Sequence, residues 1–149
     1  MPRAVSGVTN ASSAINNTYF IAAIYRDAAN NRNFSSAQIL FRQDIDGRNA
    51  CYIGYDRVHN LVYLVDDTGS KLLPKAIKPN TGTSDKVENA QCLIDATSTG
   101  ITESGTDLTL TVYVQFKPAF AGPKIMYTGV QTVSGANSGW QALGTLTVQ

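Results

Sequence analysis

The chain has 149 residues, of which 43% are hydrophobic and only 15% are charged, and its net charge is +1. This length predicts one domain spanning residues 1–149. The near-neutral charge gives no long-range field that would attract nucleic acid or anionic lipid. No apolar run approaches the ~20 residues that cross a bilayer, so we expect no membrane insertion.

Alternation of apolar and polar residues recurs along the chain, whereas no segment keeps a helical period. The clearest case is "DLTLTVYVQFK" (107–117), whose leucines, valines and Phe116 point one way and whose polar residues point the other. In chain order, the predicted strands are 17–27, 36–45, 50–56, 61–67, 71–73, 90–95, 107–117, 124–132 and 144–149.

Turns and loops separate these strands. The composition of 78–89 and 96–105 predicts loops, "RVHN" (57–60) predicts a hairpin turn, and the prolines of 117–124 predict a corner. Eight or nine strands without helices indicate an all-β sandwich or barrel, and local alternation does not choose between the two.

The two cysteines, Cys51 and Cys92, bear on the compartment. They form no CxxC pair, and a zinc site would need more ligands. An even pair in a β chain rich in Ser, Thr and Asn favours a disulfide over two buried thiols. The first ten residues do not resemble a signal peptide, so the chain is either cytosolic or a piece of a larger exported precursor. The cysteines favour export, to the cell surface or the medium.

Catalytic and metal sites have weak support in the sequence. His59 is the one imidazole, it lies in a predicted turn, and no serine stands in a G-x-S-x-G elbow. We therefore expect no enzyme and no cofactor. Calcium is the least unfavourable metal, with Asp27, Asn30 and Asp44 as weak candidate ligands, although "DIDGRN" (44–49) lacks the glutamate that would complete an EF-hand loop.

Aromatic residues are the remaining candidates for binding. Tyr113 lies on the polar face of the strand 107–117, and Tyr127 and Trp140 are further candidates for stacking on a sugar ring or anchoring a protein. Core packing and cross-strand pairing would use the same residues, so both interpretations stay open.

Several motifs occur together in a fixed order: "DGRNACYIGYD", "YLVDDTG", "NAQC", "LTLTVYVQFKPAFAG" and "NSGWQALGTLTV". This arrangement resembles an uncharacterised Ig-like or fibronectin-III-like domain of secreted and surface proteins of bacteria, from about Asp27 to the C-terminus. The resemblance implies an Ig-like antiparallel sandwich and a Cys51–Cys92 disulfide. It implies an accessory domain and supplies no catalytic residue.

The sequence therefore predicts a non-catalytic structural, accessory or self-assembling domain of an exported bacterial surface protein. Its partners would be modules of the same parent chain or copies of itself. The alternative is a carbohydrate-binding module that uses exposed aromatic residues on a polysaccharide.

Overall fold

Alternating side chains build two facing β-sheets in the computed structural model, which describes residues 2–7 and 11–149. The strands are β1 (Arg3–Ser6), β2 (Ala11–Ser13), β3 (Thr18–Arg26), β4 (Phe34–Arg42), β5 (Cys51–Asp56), β6 (Leu61–Leu64), β7 (Lys86–Glu88), β8 (Cys92–Ser104), β9 (Asp107–Phe116), β10 (Gly122–Thr132) and β11 (Gln141–Val148). Two single-turn 3-10 helices cover Asn31–Asn33 and Pro118–Phe120.

The strand order is that of a variable-type Ig sandwich. One sheet runs β1-β3-β9-β8-β7 and the other β2-β11-β10-β4-β5-β6. In Ig terms these are strands A-B-E-D opposite G-F-C-C′-C″, with β7 and β2 added at the edges. All named strand pairs are antiparallel except β11 with β2. The predicted all-β Ig-like sandwich is confirmed.

The core lies between the sheets, as the pattern of 107–117 predicts. Leu108, Leu110, Val112, Val114 and Phe116 are each at most 1% exposed. The ring of Phe116 meets that of Phe41 from the opposite sheet edge-to-face, with 5.5 Å between centroids. This contact joins the two layers directly.

The disulfide also joins the layers. Cys51 at the start of β5 bonds to Cys92 at the start of β8, and their Cα atoms are 5.7 Å apart. The predicted disulfide is confirmed. It links strands C′ and D, whereas antibody domains link B and F.

One loop prediction was wrong and another was incomplete. Residues 96–105, predicted as a loop, mostly continue β8, which pairs with β9 on both sides of an irregularity between Asp95 and Gly100. The Asn80 side chain supports the second half by accepting from the Ile101 N–H and donating to its carbonyl. Residues 78–89, also predicted as a loop, contain β7.

Other differences are small. The predicted strand 71–73 contributes one isolated bridge, between Leu72 and Val65. The short strands β1 and β2 were not predicted, and the described residues hold eleven strands rather than eight or nine. The predicted corner 117–124 is confirmed, since it carries the chain from β9 in one sheet to β10 in the other. Within the described residues, no helix has the length and hydrophobicity to span a membrane.

Candidate functional site

The outer face of the six-stranded sheet carries the candidate site. The inward residues of β4 and β5, such as Ile39 and Ile53, belong to the core, so the alternate residues Gln38, Tyr52 and Gly54 face outward. Cross-strand pairing sets Gly129, Gln38, Gly54 and Tyr63 side by side across β10, β4, β5 and β6. Two of these four positions are glycines without side chains, so the surface is depressed on both sides of Gln38.

Two hollows occupy this lowered surface, and both are bordered by Tyr52 and Gln38. The first, here called hollow 1, has a volume of about 290 Å³ and is lined by Ser36, Gln38, Tyr52, Gly54, Tyr55, Asp56, Tyr63, Val65 and Leu72. The second, hollow 2, has a volume of about 300 Å³ and is lined by Gln38, Tyr52, Gly129, Gln131, Asn137, Gly139 and Trp140. Hollow 1 is mainly apolar and hollow 2 is mainly polar.

The loop between β10 and β11 positions Trp140 over hollow 2. The Ser138 hydroxyl accepts a hydrogen bond from the Val130 N–H at 2.9 Å, and the Asn137 side chain accepts from the Gly139 N–H at 2.7 Å. Gly139 approaches the sheet so closely that a Cβ on Gly129 would lie 3.2 Å from its carbonyl oxygen. Glycine at 129 therefore lets the loop close down on the sheet.

Trp140 packs against Tyr52 edge-to-face, with 5.7 Å between ring centroids. Trp140 is still 37% exposed, so part of its surface is available to a ligand. Burial raises the pKa of the Tyr52 hydroxyl above its ordinary value. Tyr52 borders both hollows, and Trp140 forms one wall of hollow 2.

Tyr127 is on this face too, but its side chain is almost buried. It is 9% exposed and packs with Leu40 and Ala50 in a small apolar cluster that Tyr52 also contacts. Of the three aromatic residues predicted for binding, Tyr127 and Trp140 therefore lie on the same face of the sandwich, and only Trp140 offers much surface.

Tyr113 is on the other sheet. Its ring meets that of Phe20 edge-to-face at 5.3 Å between centroids, and Phe20 is 53% exposed. The three predicted rings consequently do not form one line. Tyr52 packs against Trp140 instead, and Tyr63 borders hollow 1 together with Tyr52. The alternation of "ACYIGYD" puts Tyr52 on the face opposite the buried cysteine.

The candidate calcium ligands do not meet. Asp27 and Asn30 precede β4 and Asp44 follows it, and nine strand residues span roughly 25 Å or more. The Asp27 carboxylate accepts from the N–H groups of Ala29 and Asn30, while the Asn30 side chain accepts from the N–H of Arg32. The hydrogen bond from the Ala29 N–H, helped by those from Asn33 and Asn30, holds the pKa of Asp27 below its ordinary value although burial acts to raise it. Asp44 instead pairs with the Arg42 guanidinium.

His59 occupies the turn between β5 and β6, as predicted. Its Nδ1 lies 2.7 Å from the Asp56 carboxylate, and its backbone N–H donates to the same group at 3.2 Å. Burial of Asp56 opposes ionisation, but these bonds outweigh it and lower the Asp56 pKa. The interaction caps a turn.

Across residues 2–7 and 11–149, no three His, Cys, Asp or Glu groups are placed to hold a metal ion.

Asp46 and Asp67 also stabilise turns. Asp46 binds Arg48 through its side chain and backbone N–H, which lowers the Asp46 pKa. Asp67 accepts from the Ala90 N–H with both carboxylate oxygens at 3.1 Å. These carboxylates thus serve to hold turns and loops in place.

No protein-family model matches the chain, and no curated protein matches it at a significant level.

Proposed function

We propose that this chain is a non-catalytic accessory module of an exported protein, where it holds neighbouring parts in place. The Cys51–Cys92 disulfide carries the proposal, because disulfides persist in oxidising compartments and are rare in the cytosol. The bond ties the two sheets together inside the core, where both residues are fully buried. A domain built in this way resists unfolding outside the cell.

Contacts at two of the four edge strands, β1 and β6, support a spacer more than edge-to-edge assembly. The N–H of Ala4 in β1 donates to the Gln141 side chain at 2.8 Å, so that edge group already has a partner. At the edge strand β6, Val62 exchanges two backbone hydrogen bonds of 2.9 Å with Ile77. Edges engaged within their own chain are poor templates for a second copy.

Proteolysis and sedimentation test this function. We expect the oxidised chain to sediment as a monomer over a wide concentration range and to survive protease, and we expect the reduced chain to be cut much faster. The wild type and His59→Ala should show the same background on ester, glycoside and peptide substrates. Turnover that disappears in His59→Ala would overturn the proposal, as would equal digestion of the oxidised and reduced chains.

The second candidate function is carbohydrate binding, and the exposed Trp140–Tyr52 pair beside two hollows favours it. Aromatic rings present large, rigid surfaces with a polar edge, and stacking on them suits a sugar ring. Trp140→Ala should abolish retention of the chain on a polysaccharide that binds it, whereas Tyr113→Ala on the opposite sheet should not. If both variants lose retention equally, or if neither substitution changes retention, this candidate is removed.

A further inference from the structure

We propose that hollows 1 and 2 are adjacent subsites for one uncharged glycan strand, which crosses β10, β4, β5 and β6 over Gln38. This inference rests on the second candidate function. It specifies where the sugar lies, which side chains bind it and what kind of polymer it is.

The row of outward positions defines the path. Gly129, Gln38, Gly54 and Tyr63 are cross-strand neighbours on four adjacent strands. With roughly 4.8 Å between strands, the row is about 14 Å long. The two glycines leave space on either side of the Gln38 side chain, so an extended ligand can follow the row with Tyr52 and Trp140 along one flank.

The lining suits a sugar because hollow 2 supplies side-chain amides and hollow 1 supplies aromatic rings. Hollow 2 contains the side-chain amides of Gln38, Gln131 and Asn137, each of which has donor and acceptor atoms for neighbouring hydroxyls. Tyr63 and Tyr52 add apolar ring surface in hollow 1, where it can cover the C–H face of a sugar. Ligand sites commonly combine an apolar lining with a few polar groups that fix orientation.

The near absence of charged residues in the two hollows favours a neutral polymer. No charged residue lines hollow 2, and Asp56 is the charged residue of hollow 1. Asp56 is already engaged by His59 at 2.7 Å. A phosphate, sulfate or uronate group would find no cation here, so an anionic glycan has nothing to pair with.

A peptide fits this groove less well. The floor strands β10, β4 and β5 are interior strands, so their backbone hydrogen bonds are used within the sheet. An added peptide strand gains affinity by pairing with a free strand edge, which the floor does not offer. A proline-rich peptide bound through aromatic side chains alone is the competing occupant, and the experiment below includes it.

Gly54 allows a direct test. A Cβ there would meet no atom within 4 Å, so Gly54→Val adds volume to hollow 1 from an open position. Valine also favours a strand more than glycine does, so the variant should unfold at an equal or higher temperature than the wild type. Gln131→Ala removes an amide from hollow 2, and Gln115→Ala on the outer face of β9 is its matched control.

The measurement is native gel electrophoresis through hydroxyethylcellulose, xyloglucan, galactomannan or laminarin, each a neutral polysaccharide, with a proline-rich decapeptide tested separately by calorimetry. We expect at least one polysaccharide to retard the wild type and the Gln115→Ala variant. Gly54→Val and Gln131→Ala should each weaken that retardation at least tenfold.

Each other outcome overturns the inference. If Trp140→Ala abolishes retardation while Gly54→Val or Gln131→Ala leaves it intact, the second candidate function survives and the two-subsite path is wrong. If no polysaccharide retards the wild type, both fail. If the decapeptide binds and its binding depends on Gly54, the groove takes a polypeptide.

Discussion

Gly69 rests directly on the backbone of Gly47. A Cβ on Gly69 would lie 2.6 Å from the Gly47 carbonyl carbon and 2.7 Å from its oxygen. Gly69 also has a φ of +74°, a conformation that favours glycine. The turn after β6 therefore packs against the loop before β5, next to the Cys51 end of the disulfide.

Gly69→Ala should destabilise the fold more than Gly82→Ala. Both positions have a positive φ, at +74° and +66°, but a Cβ at Gly82 would meet nothing within 4 Å. Gly82→Ala should cost about 1 kcal/mol through backbone strain alone, and Gly69→Ala should cost clearly more because the backbones must separate. Urea unfolding of the two variants measures the difference, and equal costs would contradict the close contact.

Asn89 is a polar anchor whose loss should cost about 3 kcal/mol. Its side-chain N–H groups donate to the Ala50 and Val65 carbonyls at 3.0 Å, and its Oδ1 accepts from the N–H groups of Gln91 and Cys92. Asn89→Ala leaves these buried groups without partners. Denaturant unfolding should show a large drop, compared with almost none for the exposed Asn17→Ala control. A change under 0.5 kcal/mol at Asn89 would disprove the assigned role.

Removing the disulfide should lower the free energy of unfolding by about 4 kcal/mol, because the bond closes a loop with a sequence separation of 41. Reductant should have this effect on the wild type. The Cys51→Ser/Cys92→Ser variant should start at the lower stability and show no response to reductant. Wild-type stability that is unchanged by full reduction would contradict the expectation.

Acid should destabilise the fold through the Asp107–Arg26 ion pair. Hydrogen bonds from Arg26, 2.6 Å and 2.8 Å long, lower the pKa of Asp107. A lowered folded-state pKa adds stability above the unfolded value of about 3.9, and this stability is lost as pH falls through the folded value.

Urea midpoints at pH values from 7 down to 2 measure that loss. The wild type should fall below about pH 4, and Asp107→Asn should be less stable than the wild type at pH 7 with a shallower fall in acid. An identical pH slope for both proteins would contradict the role of this pair.

The sequence predicts best where one strand faces the core on one side. Along 107–117 the apolar positions recur every second residue, and each is buried as expected. Residues 96–105 were predicted as a loop because their Ser, Thr and Gly content is typical of loops. Pairing with β9 and two hydrogen bonds between Ile101 and the Asn80 side chain, 21 positions earlier in the chain, hold them in a strand.

The site depends on which strands become neighbours, and local alternation does not contain that information. Tyr113 and Tyr127 are close in sequence, yet β9 and β10 belong to different sheets, so the two rings face opposite directions. Tyr52 and Trp140 are far apart in sequence, yet their rings are in contact. Gln38 carried no signal in the sequence, because one glutamine in an alternating strand resembles any solvated polar residue.

The redox state of Cys51 and Cys92 in the protein's natural setting tests the central claim most directly. The chain would be alkylated before extraction from the cells that make it and weighed by mass spectrometry without reduction. We predict no alkyl group on either cysteine and two after reduction, as expected for an exported, disulfide-bonded module. Two alkylated thiols before reduction would contradict export and the accessory function that rests on it.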